Sequence, residues 1–311
     1  MIVRKVNSKY NKTSNKKRIV LYNMNILGKI RKNPWIFLIF PILFFTFIFF
    51  LYPIFLIFKV SFYTYALSNI LEEFTLVNYF RFLFSSFYIS KVLLVTFKLA
   101  IISTFFALLI GYPFAYFLSR MKNPNVRRLL MVSVVLVLWV NEVIRVHGWM
   151  IVLSDYGILN RFLMKIGFIN NPISFMYNET GVLIALVQIS IPYIVFSLLG
   201  VFSYIDPSLE EAAQTLGANK LITLLRITIP LSVPGILAGT LLVFALNINA
   251  FSIPLLMGGG KVSMMGVEIY KYAMQINNLP FASAMSVILL IITLLIISIY
   301  TSLLNKLYRG V

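Results

Sequence analysis

The chain has 311 residues, of which 60% are hydrophobic and 12% charged, with a net charge of +18. This composition excludes an ordinary soluble domain and points to a membrane protein. The chain has no Cys, which excludes disulfides, a thiol nucleophile and a Cys-ligated metal; its one histidine, His147, leaves no His cluster for a metal site or a catalytic triad.

The first 34 residues carry ten of the 27 Lys and Arg residues and no acid. They read as a basic cytoplasmic tail held by anionic lipid head groups, and not as a nucleic-acid binder. No cleavable signal peptide is expected, because the first apolar run is too long and comes too late. Residues 35–311 read as one transmembrane domain. A hydrocarbon core of about 30 Å needs about 20 apolar residues as helix. Six segments meet this: Trp35 to Val60, Val92 to Leu118, Leu129 to Leu153, Gly181 to Phe202, Leu231 to Leu255 and Ala282 to Leu304. Eighteen Lys and Arg residues fall on the side of the N-terminus, six on the other side and three within spans. The bias places both termini in the cytoplasm.

Polar residues inside spans are the candidates for a pathway. In the third span these are Asn141, Glu142, Arg145 and Trp149, with His147 read as a hydrogen-bonded helix contact. Glu142 and Arg145 stand at i, i+3 and are expected to pair. That pair serves structure, a pathway, or both. Gln188 and Pro192 predict a local break in the fourth span. Asn247 and Asn249 lie in the fifth, where packing and a wet cavity both suit an amide. Lys59 and Lys98 are expected to snorkel. Gly258-Gly259-Gly260-Lys261 is not a Walker A motif, since Val262 stands where Ser or Thr should follow the lysine. Glu268 reads as a solvated loop carboxylate.

Between the fourth and fifth spans lies a polar elbow, residues 205–230. Asp206 caps its first helix and Pro207 opens it. Leu209, Ala212, Ala213 and Leu216 form one apolar face. Gly217 provides a left-handed turn, and a second helical stretch runs from Lys220 to Thr228. An amphipathic elbow between two spans calls for a partner outside the bilayer.

Glu211, Ala212, Ala213, Gly217, Ile227 and Pro230 match the spacing of the EAA loop, and the elbow resembles that of membrane subunits of ATP-binding-cassette importers. Ile229 departs from the family's usual Leu. Gly111 to Arg120, Asn141 to Asn160, Phe251 to Gly260 and Leu279 to Ala282 resemble the spermidine/putrescine-type subgroup. The resemblance covers about Phe37 to Leu304. It implies an all-α integral membrane protein of the type I importer permease fold, with six transmembrane helices and a cytoplasmic helix-Gly-helix coupling loop. It implies a bacterial inner-membrane location and no enzymatic activity in this chain. The implied partners are two ATPase subunits, which bind ATP and Mg, a second permease subunit and an external solute-binding protein. Glu211 would contact the ATPase through charge and helix capping. The cargo implied is a polyamine, although related permeases carry opines, phosphonates or ferric ion. The rival is a secondary transporter or channel that works without ATP. It accounts for the spans and leaves the elbow unexplained.

Overall fold

In hydrocarbon each backbone N–H and C=O must find its partner within the protein, so a long apolar run folds as helix. The computed structural model describes residues 35–66 and 69–308, with side chains described over 39–66 and 69–302. The basic tail, residues 1–34, lies outside them. Five helical runs are long and apolar enough to cross a membrane: Ile39–Val60, Tyr88–Ser119, Glu179–Phe202, Lys220–Ile248 and Leu279–Ser302. A sixth crossing requires the bent pair Pro124–Trp139 and Glu142–Lys165, whose arms lie at 100°.

The first run belongs to a unit of its own. It comprises α1 (Trp35–Thr46), a π-helical turn (Phe47–Leu51) and α2 (Tyr52–Val60). Its side chains from Ile39 to Lys59 are all exposed, and their apolar character suits them to lipid. Beyond it, β1 (Thr64–Ala66) and β2 (Asn69–Leu71) pair antiparallel, with Tyr65 opposite Ile70. This short hairpin is the only sheet among the described residues. The short helix α3 (Val77–Leu83) follows.

The centre of the larger unit is the mutual packing of α4 (Leu94–Ser119), α8 (Glu179–Phe202) and α11 (Ile229–Ile248). Small residues let these backbones approach. A Cβ on Gly111 would lie 2.9 Å from Ile194, and one on Gly235 would lie 2.9 Å from Val201. Asn247 ties all three helices, its Nδ2 donating to Ser103 Oγ at 2.8 Å and to Ser190 Oγ at 3.0 Å. Ser103 stands at the middle of the run Tyr88–Ser119, and Ser190 at the middle of Glu179–Phe202. The amide knot therefore marks mid-depth.

Two spans depart from their hydropathy outlines. The third is broken. Helix α5 (Pro124–Trp139) ends at Val140, whose backbone is extended. Helix α6 (Glu142–Leu153) starts afresh at Asn141, whose side chain accepts the Val143 N–H at 2.8 Å. An Asn side chain competes for backbone N–H groups and starts a helix where hydropathy sees only continuity. Helix α7 (Ile158–Lys165) completes this arm. The fifth span does not reach Leu255 as one helix. It stops at Ile248, and Asn249, Ala250 and Phe251 precede α12 (Ser252–Gly258). Asn249 Nδ2 bonds the Ala245 carbonyl at 2.8 Å, which gives the helix end a side-chain partner. The fourth span, in contrast, shows no break. Helix α8 runs on through Pro192, supported on both sides by α4 and α11. The chain continues through α13 (Met265–Tyr270) to α14 (Leu279–Tyr308), which contains the last of the apolar runs. The Gly258–Gly260 loop serves packing: Gly259 has φ +54°, and a Cβ there would collide with the Tyr177 ring.

Candidate functional site

The elbow is built by local capping. The Asp206 carboxylate accepts the Ser208 N–H at 2.9 Å, and Pro207 occupies the first position of α9 (Pro207–Thr215). The bonds from Ser208 hold the Asp206 carboxyl below its ordinary range. Gly217 ends the helix with φ +89°. Its N–H reaches the Gln214 carbonyl, and the Ala218 N–H reaches the Ala213 carbonyl, both at 3.0 Å. This is the Schellman pattern. A Cβ on Gly217 would meet nothing within 4 Å, so the backbone conformation alone calls for glycine there.

Asn219 caps the next helix, α10 (Lys220–Thr223), by accepting the Ile222 N–H at 2.8 Å. That helix does not end before the membrane. It widens into a π-helical turn (Leu224–Thr228) and continues as α11, a run of 29 residues from Lys220 to Ile248. The wider turn directly precedes Pro230, whose ring would clash with a regular i−4 carbonyl.

The elbow has two faces. Outward lie Leu209, Leu216, Leu221, Ile222 and Leu225, with Leu216 89% exposed. Glu211, Ala212 and Pro230 are exposed too, while Ala213 and Ile227 are half-buried. Inward lies Glu210, only 6% exposed. Its Oε1 accepts Arg120 Nη2 at 2.9 Å, Arg120 Nε at 3.3 Å and Thr228 Oγ1 at 2.9 Å. Its Oε2 accepts Tyr116 Oη at 3.1 Å. Arg120 also donates from Nη1 and Nη2 to the Ile205 carbonyl at 3.3 and 3.4 Å. Burial alone would raise the Glu210 carboxyl; the bonds from Arg120 and Thr228 outweigh it and hold the group below its ordinary value. Breaking such a pair costs about 3–5 kcal/mol, because the remaining charge is left buried.

Sequence reading singled out Glu211 and missed Glu210 and Arg120. Two signals were present. Glu210, Ala213 and Gly217 share an i, i+3, i+7 stripe, and Arg120 closes its span on the same side of the membrane as the elbow.

The pathway candidates separate under the structure. Asn247 is buried in the amide knot, bonded to Ser103 and Ser190. Asn249 is exposed and lines an open cleft of about 520 Å³ with Phe251, Tyr270, Ser286 and Thr293. The rings of Phe251 and Tyr270 lie 4.8 Å apart. Asn141 serves as the cap of α6. Glu142 and Arg145 make no ion pair; the ion pairs among the described residues are Lys98–Glu179, Arg120–Glu210 and Lys271–Glu268. Glu142 sits in the first turn of α6, where the helix dipole favours an acid without help from Arg145. Arg145 keeps Nε and Nη1 buried without a hydrogen-bond partner. Trp149 lines an apolar groove of about 460 Å³ with Phe106 and Gln188. His147 Nδ1 lies 2.8 Å from the Val143 carbonyl, a contact within its own helix. Lys98, partly exposed, pairs with Glu179. Glu268 is buried, 3.9 Å from Lys271, and is not a free loop carboxylate.

Residues 107–310 match the family described as binding-protein-dependent transport system inner membrane component. The chain belongs to that family. It is 41% identical over 236 residues to the spermidine/putrescine transport system permease protein PotB of Escherichia coli (strain K12), covering 75% of this chain and 85% of that protein. It is 37% identical over 253 residues to the PotB of Haemophilus influenzae, covering 81% and 87%. Its fold resembles that of a bacterial ABC transporter involved in the import of the acidic polysaccharide alginate, with a TM-score of 0.75 at 17% identity, over 91% of this chain and 99% of that one. As a binding-protein-dependent inner membrane component, the chain is a multi-pass transport permease with the ABC importer fold. The matched stretch holds the whole elbow, Tyr116, Arg120 and every pathway candidate. The first span lies outside it.

Proposed function

We propose that this chain forms one half of the membrane pathway of an importer driven by ATP hydrolysis on separate subunits, with a polyamine as its cargo. The observation that carries the ATP-driven reading is the elbow: a capped, glycine-terminated helix whose apolar side faces away from its own subunit. Leu209, Leu216, Leu221 and Leu225 have no reason for exposure unless a partner covers them. Glu211, Ala212, Ala213 and Gly217 form the dock for the ATPase, Glu211 by charge and the alanines by allowing close approach. Ile227 and Pro230 join that dock to the fifth span. Two ATPase subunits bind ATP and Mg, a second permease chain completes the pathway, and an external binding protein delivers cargo. This chain does no covalent chemistry. The elbow and both termini lie in the cytoplasm in this reading, which the distribution of Lys and Arg supports.

The polyamine reading rests on the names of the PotB relatives. The cleft beside Asn249 fits it: aromatic faces and an amide oxygen hold an ammonium group without a fixed countercharge that would trap it. Asn141, Glu142, Arg145 and Trp149 on α6 belong to the proposed pathway as well, with Trp149 lining the separate apolar groove beside Phe106 and Gln188. The break after Ile248 puts this cleft next to mid-depth, where transporters with interrupted helices place their cargo.

The test is reconstitution of the chain with its second permease, ATPases and binding protein in liposomes. ATP-dependent uptake of spermidine is the expected result. Uptake by this chain alone, driven by an ion gradient, would establish the rival secondary transporter. A Cys introduced at position 261 should react with an impermeant thiol reagent in intact cells, and one at 211 should not; the reverse pattern overturns the orientation.

A further inference from the structure

We propose that the buried Glu210 cluster is the joint through which elbow movement reaches the pathway, a role separate from docking. The proposal rests on the importer reading above. Three elements meet at one carboxylate: Glu210 on α9, Tyr116 and Arg120 at the end of α4, and Thr228 just before α11. Arg120 also grips the Ile205 carbonyl ahead of the α9 cap, so α9 is held at its first turn from two sides. Helices α4 and α11 pack together and meet again at Ser103 and Asn247, beside the break that opens the Asn249 cleft. A push on α9 thus has a hydrogen-bonded route into two helices, and both lead to the cleft. A four-bonded buried carboxylate cannot slip past its partners without leaving charge unpaired, so the three elements move together.

The docking face lacks such ties. Glu211 is exposed, next in sequence to Glu210 and turned away from it. Neighbouring glutamates therefore divide the work, one facing the partner and one facing the spans.

The experiment uses the full importer in proteoliposomes with spermidine as the probe, measuring ATPase association, ATP hydrolysis and uptake. Glu210→Gln keeps the side-chain shape and removes the charge. ATPase association should stay within about twofold, as for a change away from the contact. Spermidine uptake per ATP should fall about tenfold or more, the scale expected for lost charge-assisted hydrogen bonds. Glu211→Gln should instead weaken association, the readout that Glu210→Gln leaves in place. Thr228→Val and Tyr116→Phe each remove one donor and leave the Arg120 pair intact. Both should lower uptake per ATP to intermediate values, and they carry the test if Glu210→Gln fails to reach the membrane. Wild-type uptake per ATP in these variants would overturn the joint. So would a parallel fall of association and uptake, since the cluster would then only shape the dock. A wild-type complex with no ATP-driven uptake would overturn the importer reading, and the joint with it.

Discussion

The elbow and the bend of the third span use the same two side chain types, a glutamate and an arginine, in opposite ways. At the elbow Glu210 and Arg120 lie 90 residues apart in sequence, yet they meet at 2.9 Å with two further donors on the carboxylate. At the bend Glu142 and Arg145 lie three residues apart and do not pair; two Arg145 nitrogens stay buried and unsatisfied. Sequence proximity offers a pair, but burial decides whether it forms. Both glutamates sit in the first turn of their helices, yet Glu142 is only half-buried while Glu210 is carried into the interior and must be neutralised there. The elbow is therefore electrostatically complete within this subunit, and the bend is not.

The most severe way to break this comparison is Arg120→Ala. It leaves the Glu210 charge buried and releases the Ile205 carbonyl, at an expected cost of about 3–5 kcal/mol. Hydrogen exchange over residues 205–230 should speed up strongly while α8 stays protected. Unchanged exchange would mean that the pair contributes nothing. Gly217→Val comes next, at about 1–2 kcal/mol or somewhat more for a β-branched residue in the left-handed region. Gly217→Asn should recover much of the loss, because Asn tolerates that conformation. Both are read by co-purification of the ATPase at matched membrane levels, and equal behaviour of the two variants would show that φ is not the issue.

At the bend the expected effects are smaller. Arg145→Met should change the thermal stability of the isolated chain by about 1 kcal/mol or less, since it removes a cation that has no partner to leave behind. If it destabilises the chain as much as Arg120→Ala does, the two regions are alike and the contrast fails. The smallest effect concerns pH. The folded Glu210 carboxyl lies below its ordinary value of 4.5, so its contribution is fully present above that value and is lost as pH falls through the folded pKa. Asp206 shifts in the same direction and adds to the trend. Proteolysis of the elbow should be flat from pH 7 down to about 5, where both carboxyls are ionised folded or unfolded, and rise only in stronger acid. A rise near pH 6 would point to a different group.

Much of the elbow could be read from the chain because its signals are local. Asp206-Pro207 and the glycine at 217 act over one helical turn, and their bonds form as the spacing predicts. The outlines of the spans were equally accessible, since about 20 apolar residues dictate a crossing helix whatever surrounds them. The breaks were not. Asn141 and Asn249 interrupt helices that hydropathy joins, and Pro192 fails to interrupt one that rules of thumb would break. In each case neighbouring groups settle the outcome: side-chain bonds at the two asparagines, and α4 and α11 on either side of α8.

The sequence by itself determined a multi-span membrane chain with an amphipathic elbow, because composition, hydropathy and capping are properties of consecutive residues; its reading as a transport permease came from the elbow's likeness to a family. Tertiary structure alone decided that Glu210 and not Glu211 faces inward, that Asn247 bonds across to Ser103 and Ser190 while Asn249 bonds only within its own helix, and that Arg145 pairs with no acid among the described residues. The physical reason is common to all three. A buried polar group is fixed by whichever donor or acceptor lies within about 3 Å, and those partners come from helices far away in the chain.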